Sequence, residues 1–186
     1  MTIIVRRALV ADAPALPDIE RCAAKLFRDD PSLAWLADSP VPGAEHHRWA
    51  IEAGQVWVAQ SAEGALAGFL AAGEIDNQLH IQELSVSQPF QGRGIGRKLV
   101  LAAVSYARGQ ELAGLTLTTF RDLPWNELFY RRMGFATLSP AETEPRLTQV
   151  LNDEIAHGLP GERRCAMRFS LGPAPLNPPP MPRRMP

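Results

Sequence analysis

Apolar residues along the chain recur with two periods, and the change from one to the other marks the elements. The β-branched run Ile3-Ile4-Val5 predicts a first strand. From Asp12 to about Phe27, Ile19, Ala23, Leu26 and Phe27 recur at helical spacing, with Asp12 as candidate N-cap and Pro14 and Pro17 crowding the start. Residues 29–43, with three prolines, predict a loop or short helical turns, and Glu45 to Ala53 a short helix ended by Gly54. Strands are predicted at 56–59 and 65–72, around an Ala62-Glu63-Gly64 hairpin turn. Asp76-Asn77 turns the chain into a strand over Gln78–Ser87. Its apolar residues Leu79, Ile81, Leu84 and Val86 change phase between Ile81 and Leu84, which predicts a β-bulge.

Beyond Pro89 the period becomes helical: Ile95, Leu99, Ala103 and Tyr106 mark one buried face of a helix over 94–109. A strand at 115–119 follows. A helix joins it to the strand before, so the two should run parallel. A helix over about 124–133 ended by Gly134, a short strand at 135–137, a helix over 143–156 closed by Gly158 and a last strand over 164–171 complete the pattern. From Gly172 onward seven of fifteen residues are proline, so 172–186 is expected to lie outside the domain formed by 1–171.

Composition narrows the function. The 186 residues, 46% hydrophobic, suffice for one core and one domain. A net charge of −1 provides no broad basic field, which argues against a nucleic-acid partner. Cys22 and Cys165 lack metal or disulfide spacing, and the His46-His47 pair has no third ligand at metal spacing, so no metal is expected. No apolar run is long enough for a membrane span, and Met1–Val10 is too short and too charged for a signal peptide; a cytoplasmic protein is expected.

The candidate chemistry centres on Gln91-Gly92-Arg93-Gly94-Ile95-Gly96, between a strand and a helix. Glycines there let a ligand approach the backbone and permit positive φ, and amides at a helix start converge on an anion. A nucleotide-binding Walker loop is ruled out because Arg97-Lys98-Leu99 follows. A dinucleotide fingerprint would need glycine in place of Arg97. The spacing Gln91-x-x-Gly94-x-Gly96 instead resembles the pyrophosphate loop of the GCN5-related N-acetyltransferases (GNAT). A second segment, Asn126-Glu127-Leu128-Phe129-Tyr130-Arg131-Arg132-Met133-Gly134-Phe135, resembles the N-x-x-x-x-Y-x-x-x-G-F signature of the same family.

That resemblance, over about residues 3–170, implies an α+β fold with a mixed, largely antiparallel central sheet, helices on both faces and a splayed parallel strand pair. It implies acetyl transfer from acetyl-coenzyme A directly to a primary amine of a small molecule or peptide. Leu84, Ser85, Val86, Gln91, Gly92, Arg93, Gly94, Ile95, Gly96, Arg97, Asn126 and Phe129 would hold the coenzyme. Tyr130 matches the family's general acid. Glu83 is the candidate base, acting directly or through a water, with His80 as rival. Phe27, Trp57, His80, Thr119, Phe120 and Trp125 are candidates for the acceptor pocket, with Trp35 a further aromatic for its wall. A non-catalytic acyl-coenzyme A sensor is the alternative, and a homodimer is left open.

Overall fold

The computed structural model describes residues 2–172, so the proline-rich segment expected beyond Gly172 lies outside the described residues. Seven strands form one sheet: β1 (Ile3–Arg7), β2 (Gln55–Ser61), β3 (Leu66–Ile75), β4 (Gln78–Val86), β5 (Gly114–Phe120), β6 (Ala136–Thr137) and β7 (Arg164–Ser170), in spatial order β1-β2-β3-β4-β5-β7-β6. Every pair is antiparallel except β4–β5. Asp76 and Asn77 take φ of 51° and 59° in the turn joining β3 to β4, the left-handed pair that matches a two-residue hairpin to the twist of its strands.

Five α-helices cover the sheet: α1 (Leu16–Ala24), α2 (Ala44–Ala53), α3 (Ile95–Gly109), α4 (Glu127–Arg131) and α5 (Pro145–Ala156). Strand alternation sorts their contacts. Val56, Val58, Phe69 and Ala71 meet Leu16 and Ile19 of α1 on one face. Trp57, Ala59, Leu70, Ala72, Leu115 and Leu117 meet Ile95, Leu99, Val100 and Ala103 of α3 on the other. Leu147 of α5 packs with Leu138 and Ala166.

Apart from shifts of a few residues at other ends, three elements differ from the sequence reading. The single helix expected from Asp12 divides into 3₁₀ turns at Val10–Ala15 and Lys25–Asp29 around α1. Pro14 and Pro17 lack the N–H groups a continuous helix needs; Asp12 instead accepts the Leu9 N–H at 2.7 Å and pairs with Arg6. Gly54 ends α2 in an extended conformation (φ −126°) rather than a left-handed one. It is needed for space: a Cβ there would lie 2.8 Å from the Ala50 carbonyl oxygen and 3.1 Å from that of Ala72. The third difference is α4, which spans only Glu127–Arg131, with Asn126 at its N-cap position.

Candidate active site

A cleft opens where the parallel strands part. β4 and β5 pair only at Gln78–Gly114, Leu79–Leu115 and His80–Thr116. Beyond them the two strands diverge, while β4 stays paired to β3 through Val86. The bulge lies at the divergence: Ile81 faces Ala72 and Glu83 faces Ala71, so Gln82 is the extra residue on β4. The resulting cleft has a volume of about 860 Å³, and residues 81–86 of β4 and 117–120 of β5 line its two sides.

The Gly-rich loop closes one end. Gly92 and Gly94 have φ of +72° and +74°, and a Cβ at either position would meet no protein atom within 4 Å. Their conformation therefore serves the backbone path and leaves open space above it. Among the described residues, no backbone carbonyl accepts from the N–H groups of residues 92–97. Six adjacent amides without protein partners lie at the start of the fifteen-residue α3, and such a run of donors suits a diphosphate. Gln91 fixes the loop to the strand, its Nε2 donating to the Val86 carbonyl at 2.9 Å. Gly96 faces Phe129, whose Cζ would lie 3.4 Å from a Cβ there.

Tyr130 reaches the cleft from α4 and is 7% exposed. Phe129 and Phe135 hold its ring edge-on, at centroid distances of 4.9 and 5.5 Å. Its hydroxyl has no hydrogen bond to a described residue. Burial first, and then the charge of Glu83, raise its pKa well above that of a free phenol. The phenol thus keeps its proton and can offer it to a ligand. Glu83 lines the cleft from β4 and accepts from Ser85 Oγ at 2.7 Å. Burial raises its pKa, opposed by the hydrogen bonds from Ser85 and the Leu84 amide, which brings a carboxylate closer to the range of a neutral-pH base.

The other end is built by segments distant in sequence. Leu33, Phe120 and Leu123 form a small core with Phe27, Leu36 and Trp125 against it. Arg164 and Glu154 line the cleft as a bidentate pair with bonds of 2.7 and 2.9 Å, and the guanidinium lies 4.5 Å from the Phe120 ring centroid. Glu20 of α1, which the sequence reading passed over, lines this end too. No local signal marks it: it follows Ile19 as an ordinary polar position of an amphipathic helix.

Of the residues singled out from sequence, Glu83, Leu84, Ser85, Val86, Gln91, Gly92, Gly94, Ile95, Gly96, Arg97, Asn126, Phe129, Tyr130, Phe27, Thr119, Phe120 and Trp125 all border this one cleft. Four residues do not. Arg93 is exposed and is not among the lining residues. Trp35 is 47% exposed and is not among the lining residues. Trp57 is 5% exposed in the core, edge-on to Tyr106 at 5.6 Å and beneath the Arg7 guanidinium at 4.8 Å. His80 lies where β4 and β5 are still paired, its Nδ1 3.0 Å from Thr116 Oγ1. Burial and then nearby Arg146 lower its pKa to about 4. His80, like Trp57, thus lies in the core outside the cleft lining.

A mixed sheet with one splayed parallel pair, and an amide cradle at the mouth of the gap, defines a class of acyl-coenzyme A-dependent transferases. Residues 21–135 match the family model described as "Acetyltransferase (GNAT) family". The chain belongs to that family, whose enzymes take the acetyl group from acetyl-coenzyme A. Over 84 residues it is 36% identical to streptothricin acetyltransferase of Streptomyces lavendulae, a stretch covering 44% of each chain, so the match spans under half of that relative. The fold is similar to that of PaiA N-acetyltransferase from Thermoplasma acidophilum, solved with coenzyme A. That likeness has a TM-score of 0.66 at 17% identity and covers 92% of this chain and 100% of that one. It is also similar to the ribosomal-protein-S18-alanine N-acetyltransferase of Escherichia coli, with a TM-score of 0.66 at 14% identity over 95% and 98% of the two chains. Among the described residues no helix is long and apolar enough to cross a membrane, and no group of three or more His, Cys, Asp or Glu is placed to hold a metal.

Proposed function

We propose that this acetyltransferase acetylates a primary amine of a small molecule or peptide by direct transfer, with Glu83 as general base and Tyr130 as general acid. The observation that carries the reading is the common cleft: an ionisable carboxylate on β4 and an unbonded phenol on α4 face the gap that the six free amides of residues 92–97 close at one end.

Acetyl-coenzyme A, when bound, supplies a thioester carbonyl as electrophile and a thiol as leaving group. The free amides of residues 92–97 suit its diphosphate, and the edge of β4 left open beyond His80 can bond an extended arm as a further strand would. Glu83 takes a proton from the acceptor ammonium, freeing the nitrogen lone pair for attack. Amines with a free pKa near about 10 are otherwise almost fully protonated at neutral pH. N–H groups that β4 turns toward the gap stabilise charge on the carbonyl oxygen. Tyr130 offers its hydroxyl proton to the departing sulfur as the C–S bond breaks, and the proton the nitrogen sheds as the amide forms returns to the phenol through solvent. Thr119, Phe120, Trp125 and Phe27 form the wall around the acceptor.

The test is a panel of primary amines incubated with acetyl-coenzyme A, read by release of free thiol and by mass of the product. Acetylated amine formed at a rate that depends on both Glu83 and Tyr130 supports the proposal. Coenzyme A binding without turnover of any amine would favour an acyl-coenzyme A sensor.

A further inference from the structure

The acceptor end of the cleft holds two carboxylates, neither hydrogen-bonded to a protein cation, although the charge of Arg21 acts on Glu20. Glu83 comes from β4 and Glu20 from α1, which packs across that strand. Arg164, the cation at this end among the described residues, is closed on Glu154 by two hydrogen bonds. Arg97 and Arg132, the other lining cations, are exposed.

The surroundings of Glu20 within the fold leave it unsatisfied. Its Oε2 is buried and has no hydrogen-bond partner among the described residues. It lies 3.4 Å from Nε2 of His47 on α2, which is likewise buried and unpartnered. The His47 side chain is 5% exposed and stands edge-on to Phe69 at 5.3 Å, so its direction is fixed by the core. Burial and then neighbouring His46 lower the pKa of His47, which disfavours a charged imidazole and so a full ion pair with Glu20. The contact therefore orients Glu20 without cancelling its charge. Burial first, and then the charge of Glu83, raise the Glu20 pKa to about 7. Each carboxylate makes the other harder to ionise, and a cation at both would relieve them together. The same cleft is lined by the apolar residues Ala23, Leu26, Phe27 and Leu36.

We propose that Glu20, positioned by His47, is the specificity carboxylate of the acceptor site, which therefore selects molecules bearing two aliphatic amines. One amine lies at Glu83 and is acetylated. The second stays an ammonium held by Glu20, with the methylenes between them along the apolar wall. The inference rests on the acetyl-transfer reading above and adds to it the substrate class.

Calorimetric titration of the protein, alone and with coenzyme A, compares 1,4-diaminobutane and 1,6-diaminohexane with 1-aminobutane and 1-aminohexane. At least one diamine should bind about tenfold or more tighter than its monoamine, and added salt should erode the difference. Glu20→Gln should bring the ratio close to one. Glu20→Asp, which keeps the charge, should retain part of the preference, and this separates charge from packing if Glu20→Gln also lowers thermal stability. Equal affinities in the wild type, or a preference that survives Glu20→Gln, would overturn the inference. Coenzyme A affinity reports separately on the catalytic reading: loss of that affinity with the diamine preference intact would remove the acetyl-transfer assignment and leave the diamine site standing.

Discussion

Replacing Tyr130 by Phe removes one oxygen and little else, so its consequences can be worked through atom by atom. The ring keeps its packing against Phe129 and Phe135 at 4.9 and 5.5 Å. The hydroxyl has no protein hydrogen bond to lose, so stability should change by less than about 1 kcal/mol. Coenzyme affinity should change by no more than about twofold, because ground-state binding rests on the loop amides. The chemical step is different. The sulfur leaves as a thiolate whose conjugate acid has a pKa near about 8.5, whereas burial raises the phenol well above its ordinary value. A phenol that holds its proton through the ground state is drawn toward the sulfur only as charge develops there, so its action as general acid falls on the transition state. One such donor is worth roughly 10²–10³ in kcat, or about 3–4 kcal/mol. Free-thiol release under saturating acetyl-coenzyme A, with calorimetry for coenzyme A, measures both quantities. An unchanged kcat would refute the role. A loss of coenzyme affinity equal to the loss of kcat would make Tyr130 a packing residue.

Further outcomes follow from the same geometry. Glu83 works as a base only when ionised, and burial raises its pKa. Activity should therefore fall as pH drops through a value above the usual carboxylate range, and Glu83→Gln should lose that limb and about 10²-fold or more in kcat; a pH–rate profile checks both. Gly94→Val forces a β-branched residue to φ +74°, at a cost of about 1–2 kcal/mol in stability. Because no protein atom lies within 4 Å of the new Cβ, the larger loss should be in coenzyme affinity, and normal affinity would contradict the loop's role. Glu154→Leu leaves the Arg164 guanidinium, 8% exposed, without its carboxylate. It should cost about 3 kcal/mol and lower the melting temperature by roughly 6–12 °C in a circular-dichroism scan.

The half of the cleft closed by the Gly-rich loop was legible because its determinants are local. Gly92, Gly94 and Gly96 fix a backbone path within six residues, the Asp76-Asn77 turn sets the start of β4, and the phase change from Ile81 to Leu84 locates the bulge at Gln82. Asn126, Phe129 and Tyr130 share one short segment, so their joint approach to the cleft depends on little beyond that segment's placement. The opposite half has no such economy. It joins residues as far apart as Glu20 and Arg164, and what faces the gap depends on where β5 departs from β4. His80 and Glu83 are three positions apart on one strand, yet β4 is still paired at the first and open at the second. Hydrophobic pattern could not tell Trp57, edge-on to Tyr106 in the core, from Trp125 at the cleft wall, since both are large apolar residues in apolar surroundings. Nor could it single out Glu20, whose significance arises only when α1 crosses β4 and His47 of α2 turns a buried nitrogen toward it. Short-range backbone geometry was written in the sequence; the neighbours that set each carboxylate's charge were decided by long-range packing, because desolvation and Coulomb interactions depend on distance in space and not along the chain.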